Sequence, residues 1–129
     1  MNIGAAAKAS GVSAKMIRYY ESIGLIKKAN RTESGYRSFT SNDIHTLKFI
    51  LNARNLGFKV KVIADLLQLW QNDERQSSDV KHLALEQVEL LQSRINELQS
   101  MVNVLKDLAE NCSGDNRPDC PILVDLEKV

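Results

Sequence analysis

The stretch ASGVSAKMIRYYESIGL, residues 9–25, decides how the rest of the chain is read. Gly11 breaks an alanine-rich run that reads as a short helix from Ile3 to about Ser10. Ser13 then offers its hydroxyl as the N-cap of a second helix, Ala14 to about Ile23, which Gly24 stops. Two short helices joined by a tight glycine-containing turn form a helix-turn-helix candidate. The second helix has two faces. Ile17, Tyr20 and Ile23 carry the spacing of a core stripe, while Lys15, Arg18 and Tyr19 share another face. Two cations and a phenol side by side suit a helix in a major groove, where Lys and Arg reach guanine edges or phosphates and Tyr bonds a phosphate. The plainer alternative packs Tyr19 locally and leaves both cations solvated.

Next along the chain is LIKKANRTESGYRSFT, residues 25–40. Leu25–Lys27 and Tyr36–Phe39 read as two short strands, with turn residues ending in Gly35 between them. A hairpin directly after a recognition helix is a wing. Lys27, Lys28, Arg31 and Arg37 give it the charge to grip a phosphate backbone, which positions a protein on DNA without reading sequence. Thr40 is a good N-cap for the following helix, Asp43 completes a capping box, and Phe39 and Ile44 are placed as a hydrophobic staple. Ile44, Leu47, Leu51 and Leu56 form the expected apolar face, and Gly57 ends it. A further helix, Val60 to about Gln71, is expected to turn Ile63, Leu66, Leu67 and Trp70 toward the core. Arg54, Lys59 and Lys61 flank the joint between these helices as a second phosphate-binding point.

After a polar break at residues 72–79, the pattern turns strictly heptad. Ala84, Val88, Leu91, Ile95, Leu98, Val102, Leu105 and Ala109 alternate four- and three-residue steps. A single helix cannot bury such a seam alone, so its length and regularity favour a coiled coil between two chains. The expected fold is therefore mainly α: a winged helix-turn-helix DNA-binding domain plus a long coiled-coil dimerisation helix. Residues 1–71 form the DNA-binding domain, 72–78 a linker, 79–110 the dimerisation helix, and 111–129 a metal-binding loop with a short C-terminal helix.

Charge supports that division. Residues 1–64 carry eleven Lys/Arg against three acids, a surplus of +8, while residues 65–129 carry six against thirteen, a balance of −7. A basic half joined to an acidic half points to a polyanion partner for the first half only. The 129 residues, 43% hydrophobic and 26% charged, have an ordinary composition for one soluble domain with an appendage. With no apolar run of membrane-spanning length and no secretory signal, the chain is expected in the cytoplasm, where a structural disulfide is disfavoured.

Both cysteines lie in CSGDNRPDCP, residues 112–121. Enzymatic readings fail on inventory: neither His45 nor His82 has a nucleophile partner nearby in sequence, and there is no glycine-rich phosphate loop, HExxH or CxxC. A structural zinc site wants four ligands. This loop offers two thiolates, with Asp115 and Asp119 as hard and poorly matched company. Two soft thiolates suit a soft monovalent d¹⁰ ion such as Cu(I), which accepts two-coordination. The competing reading leaves both as plain loop thiols. Two thiolates around a singly charged ion carry a net negative charge, which the start of a helix at Pro121 would offset. Lys81 could add a positive charge if a partner chain brings it close.

These motifs closely resemble the MerR family of transcription regulators, and within it the copper-responsive CueR branch. The resemblance spans almost the whole chain and rests on residues 6–26, on RTESGYRSF (31–39), ARNLGF (53–58), SSDVK (77–81) and the cysteine loop. It implies a homodimeric activator, its long helices paired as an antiparallel coiled coil, that binds a palindromic promoter and responds to Cu(I), and also to Ag(I) or Au(I). It further implies that the metal-bound dimer distorts an overlong spacer so that RNA polymerase can engage, switching on copper efflux and detoxification genes. Cys112 and Cys120 would hold the ion, with Ser77 and Lys81 lining the site. Divalent-metal sensors of the family carry a cysteine where this chain has Ser77. DNA contacts are expected from Ser13, Lys15, Arg18 and Tyr19, from Arg31, Tyr36 and Arg37 in the wing, and from Arg54, Lys59 and Lys61. Departures from the family pattern are few. Ala5 and Ala6 replace more polar residues, and Lys59 stands where relatives place a Ser or Thr helix cap. A cytosolic copper carrier and a thiol redox switch on the same scaffold remain as alternatives.

Overall fold

A computed structural model describes residues 1–28, 30, 31, 35, 37–115 and 117–128, with the side chains of residues 30, 31 and 37 outside that description. The chain divides into two compact units, Met1–Ala84 and Leu85–Val129.

In the first unit, helix α1 (Ile3–Ser10) starts where the Asn2 side chain accepts the Ala5 N–H at 2.8 Å. It ends at Gly11, whose φ of 79° is open to glycine at no steric cost. Helix α2 (Ala14–Ser22) starts as expected, with the Ser13 hydroxyl accepting the Met16 N–H at 3.1 Å. Its other end departs from expectation. Gly24 takes φ 76° and donates to the Glu21 carbonyl at 3.2 Å, while Leu25 donates to the Tyr20 carbonyl at 3.0 Å. That pair of bonds is a Schellman stop. It commits Leu25 to closing the helix, so Leu25–Lys27 is not the first strand of the hairpin. Leu25 and Ile26 instead pack against the core.

The two strands that do pair are shorter and later. Strand β1 (Asn30–Arg31) runs antiparallel to β2 (Arg37–Ser38), with Asn30 opposite Ser38 and Arg31 opposite Arg37. Phe39 leaves the second strand and exchanges backbone hydrogen bonds with Met1 at 2.7 and 2.9 Å.

Helix α3 (Ser41–Asn55) opens with the full capping box. Thr40 Oγ1 accepts the Asp43 N–H at 3.2 Å, and Asp43 Oδ2 accepts the Thr40 N–H at 2.8 Å. Phe39 and Ile44, on either side of the cap, are both buried. The buried stripe of α3 is Ile44, Leu47, Ile50 and Ala53. Leu51 is only half-buried and Leu56 is 63% exposed, because Leu56 caps the helix beyond its last turn and off that stripe. Helix α4 (Val60–Gln71) buries Ile63 and Leu67 and has no capping side chain at Lys59. Trp70 is not core. It is 40% exposed and lies flat on Phe49, ring centroids 4.5 Å apart and 11° between planes. Ile23, also expected inside, is exposed because it falls in the turn that closes α2.

The core is built from Ala6 of α1, Ile17 and Tyr20 of α2, the α3 stripe, and Ile63 and Leu67 of α4. Burying each large side chain contributes about 1.5–3 kcal/mol, and the helix-turn-helix pair is held against α3 and α4 by these contacts.

Helix α5 (Ser77–Glu110) is 34 residues long and begins two residues before the expected start at 79. Most of the second unit is this helix, followed by the cysteine loop and helix α6 (Pro121–Glu127) with Pro121 in its first turn. Among the described residues, none of the buried hydrophobic ones comes from the second unit. The expected seam is solvent-exposed from Ala84 to Ala109. Among the described residues, no helix is long and apolar enough to cross a membrane.

Candidate DNA-binding surface and metal loop

The loop between α5 and α6 draws its two cysteines together. Cys112 Sγ and Cys120 Sγ lie 3.7 Å apart, both half-buried and both free thiols. Each is anchored at a helix end. The Cys112 N–H donates to the Ala109 carbonyl at 3.2 Å, and the Cys120 carbonyl accepts the Val124 N–H at 3.3 Å in the first turn of α6. Backbone N–H groups at that end act on the Cys120 sulfur. The Leu123 N–H is the main cause of a thiol pKa held below the usual range, with the Cys112 side chain and Ile122 N–H adding to it and desolvation opposing it. Among the described residues, no third His, Cys, Asp or Glu joins the pair as a ligand cluster.

Asp115 turns inward on the loop instead. It accepts from the Ser113 hydroxyl at 3.2 Å, the Arg117 backbone N–H at 2.9 Å, and Arg117 Nε and Nη2 at 2.9 and 2.8 Å. The Arg117 side chain is the main reason its carboxyl is held below the usual carboxylate range. Ser77 and Lys81, expected near the metal, lie in the first two turns of α5, with both side chains exposed.

The candidate DNA-facing residues fall into three groups. Lys15, Arg18 and Tyr19 are exposed on one face of α2, opposite the buried Ile17 and Tyr20, and the Ser13 hydroxyl is occupied as the α2 cap. Lys59 and Lys61 are exposed at the start of α4. Arg54 is already partly engaged, its Nη1 donating to the buried Tyr20 hydroxyl at 2.7 Å. In the wing, Tyr36 and the side chains of Arg31 and Arg37 lie outside the described residues.

Residues 1–70 match the model of the MerR HTH family regulatory proteins, and residues 44–108 match the MerR DNA-binding model. The chain belongs to the MerR family. As a member of a family of DNA-binding transcription regulators, this MerR protein is a regulator rather than an enzyme. It is 56% identical over 126 residues to heavy metal-dependent transcription regulator 2 of Rhizobium meliloti, covering 98% of this chain and 86% of that one. It is 41% identical over 126 residues to the HTH-type transcriptional regulator CueR of Escherichia coli O6:H1, covering 98% and 93% of the two chains. Among solved structures, it superposes on the transcription regulator PbrR691 of Ralstonia metallidurans CH34, in complex with lead(II). The TM-score is 0.85 at 27% identity, covering 98% of each chain.

Two features of this MerR protein escape a reading by residue type alone. The Tyr20–Arg54 bond joins α2 to the end of α3, although Tyr20 reads only as a core aromatic. The Asp115–Arg117 clasp has a weak sequence signal, an Asp two residues before its partner N–H, which is the spacing of an Asx-turn.

Proposed function

We propose that this MerR protein is a cytoplasmic, homodimeric activator responsive to Cu(I), with Ag(I) and Au(I) as alternative effectors, acting at promoters of copper efflux and detoxification genes. The observation that carries this reading is the Cys112–Cys120 pair, 3.7 Å apart without a third clustered donor among the described residues. Two soft sulfurs satisfy a soft monovalent ion and leave a divalent one short of ligands. The relative named as heavy metal-dependent, and the relative named CueR, support a metal effector. Ser77 supports the monovalent choice over the divalent one, because it removes a thiolate at the α5 start.

Dimerisation through α5 supplies what a single chain lacks. Antiparallel pairing covers the seam from Ala84 to Ala109 and sets the first turns of one α5 beside the end of the other. Ser77 and Lys81 of one protomer then border the cysteine loop of the second, where Lys81 offsets the charge of two thiolates. Lys15, Arg18 and Tyr19 enter the groove from each protomer, while Arg31, Tyr36, Arg37, Arg54, Lys59 and Lys61 hold phosphates. The dimer occupies its promoter with or without the effector. Promoter distortion, and with it RNA polymerase engagement, follows if the cysteine loop binds the ion more tightly in one of two dimer conformations.

The test is transcription in vitro from the protein's own promoter, with free Cu(I) set by a chelator. Wild type should gain transcript as Cu(I) rises while promoter affinity changes little, and Cys112→Ser should occupy the promoter but give no gain. A gain retained in Cys112→Ser would overturn the assignment. The same 3.7 Å separation also favours a second reading, a thiol redox switch closing to a disulfide. That switch would respond to oxidant with copper chelated.

A further inference from the structure

We propose that Arg117 sharpens the metal selectivity of the cysteine loop, as a positioning residue that disfavours the Asp115 carboxylate as a ligand. The inference rests on the reading of Cys112 and Cys120 as the ion's ligands, and it adds the means by which the loop rejects divalent ions. The loop sequence alone does not reject them. Cys112, Asp115, Asp119 and Cys120 are four anionic donors within nine residues, and four is the number a tetrahedral divalent site requires.

The folded loop weakens one of the four. Four donors fall on Asp115: the Ser113 hydroxyl and Arg117 Nε and Nη2 crowd Oδ2, and the Arg117 backbone N–H takes one of the two positions on Oδ1, so a single lone pair is left for an ion. Three of these come from one residue. The guanidinium also neutralises the carboxylate's charge at 2.8 Å, so a cation gains little by approaching it. What is left unweakened for a divalent ion is two thiolates and at most Asp119. A monovalent soft ion, complete with two sulfurs, loses nothing by the clasp.

The restraint is modest. Arg117 is 73% exposed in its side chain, and exposed ion pairs are weak. The expected change on releasing Asp115 is therefore several-fold rather than orders of magnitude.

The experiment titrates the reduced full-length dimer with Zn(II) and Co(II), and in parallel with Cu(I), in chelator buffers without oxygen. Wild type, Arg117→Ala and the double variant Arg117→Ala/Asp115→Asn are compared, and Co(II) ligand-field absorption reports the donor set. Arg117→Ala should bind Zn(II) and Co(II) about five- to tenfold more tightly, with a Co(II) spectrum of higher coordination by oxygen. The double variant should return both to wild type, and Cu(I) affinity should stay within about twofold throughout. Unchanged divalent affinity in Arg117→Ala would overturn the inference, as would an equal rise in the double variant. Failure of wild type to bind Cu(I) through its cysteines is a separate outcome of the same titrations. It would sink the parent reading and the selectivity argument with it.

Discussion

Among the described residues, most large apolar side chains of the first unit pack against one another, whereas most of those in the second stand exposed. The first unit has Leu47, Ile50 and Ile63 fully enclosed. In the second unit, Val88, Ile95, Leu98 and Leu105 are each more than half exposed along a regular heptad seam. The same hydrophobic effect acts on both. Four short helices can wrap around one another within a chain, and one long helix cannot fold onto itself. The first unit has a core of its own, and the exposed seam of the second is the face proposed to pair with another copy. The cysteine loop adds a third case, a site that brings its two sulfurs together within a single chain.

The largest effect is expected where this contrast is deepest. Ile95→Asp combined with Leu98→Asp places charges in the seam of both chains. Burial of such side chains contributes about 1.5–3 kcal/mol each, so the dimer dissociation constant should rise more than about 1,000-fold. Sedimentation equilibrium should show monomers while the first unit keeps its own unfolding transition. A variant that stays dimeric would show that the seam is not the interface.

In the first unit, Leu47→Ala removes a fully buried side chain and should cost about 2–5 kcal/mol. Urea unfolding of that unit should show the loss with dimerisation intact, and a loss below about 1 kcal/mol would mean the core is looser than its burial indicates. Arg18→Ala probes the outer face of the same unit and should weaken operator binding by about 1–3 kcal/mol if it reads a base. Lys61→Ala should weaken all sequences alike and lower the salt slope by about 0.9. Identical behaviour of the two variants would remove the distinction proposed between α2 as a groove face and α4 as a phosphate contact. Smallest is Thr40→Ala, where loss of the capping hydroxyl should cost about 1 kcal/mol in thermal unfolding, with Thr40→Ser recovering most of it.

Much of the fold is legible in the sequence because its helix ends are marked by side chains with one job. Ser13, Thr40 with Asp43, Gly11 and Gly24 place four boundaries within a residue of where they lie. The wing was harder to place. Leu25–Lys27 looks like a strand, but once Gly24 adopts a left-handed turn the next N–H belongs to the helix stop. Periodicity also misplaces residues at helix margins. Ile23 and Leu56 continue an apolar spacing past the last helical turn, where the face no longer points inward. Trp70 is apolar enough for a core but finds a flat partner in Phe49 near the surface. The cysteine pair is legible from its spacing and the prolines around it. The Asp115–Arg117 clasp is not, because four hydrogen bonds to one carboxylate depend on loop conformation rather than on residue type.

The central claim is that the loop of one chain forms a complete two-sulfur site for a monovalent ion. X-ray absorption at the copper edge, on the reduced dimer loaded with one Cu(I) per loop, tests it most directly. Two sulfur neighbours and no nitrogen or oxygen shell is the result expected, with the signal lost in Cys112→Ser. Three or four neighbours, or tight Zn(II) binding by the wild-type loop with a similar shell, would contradict it and move this protein among the sensors of divalent metals.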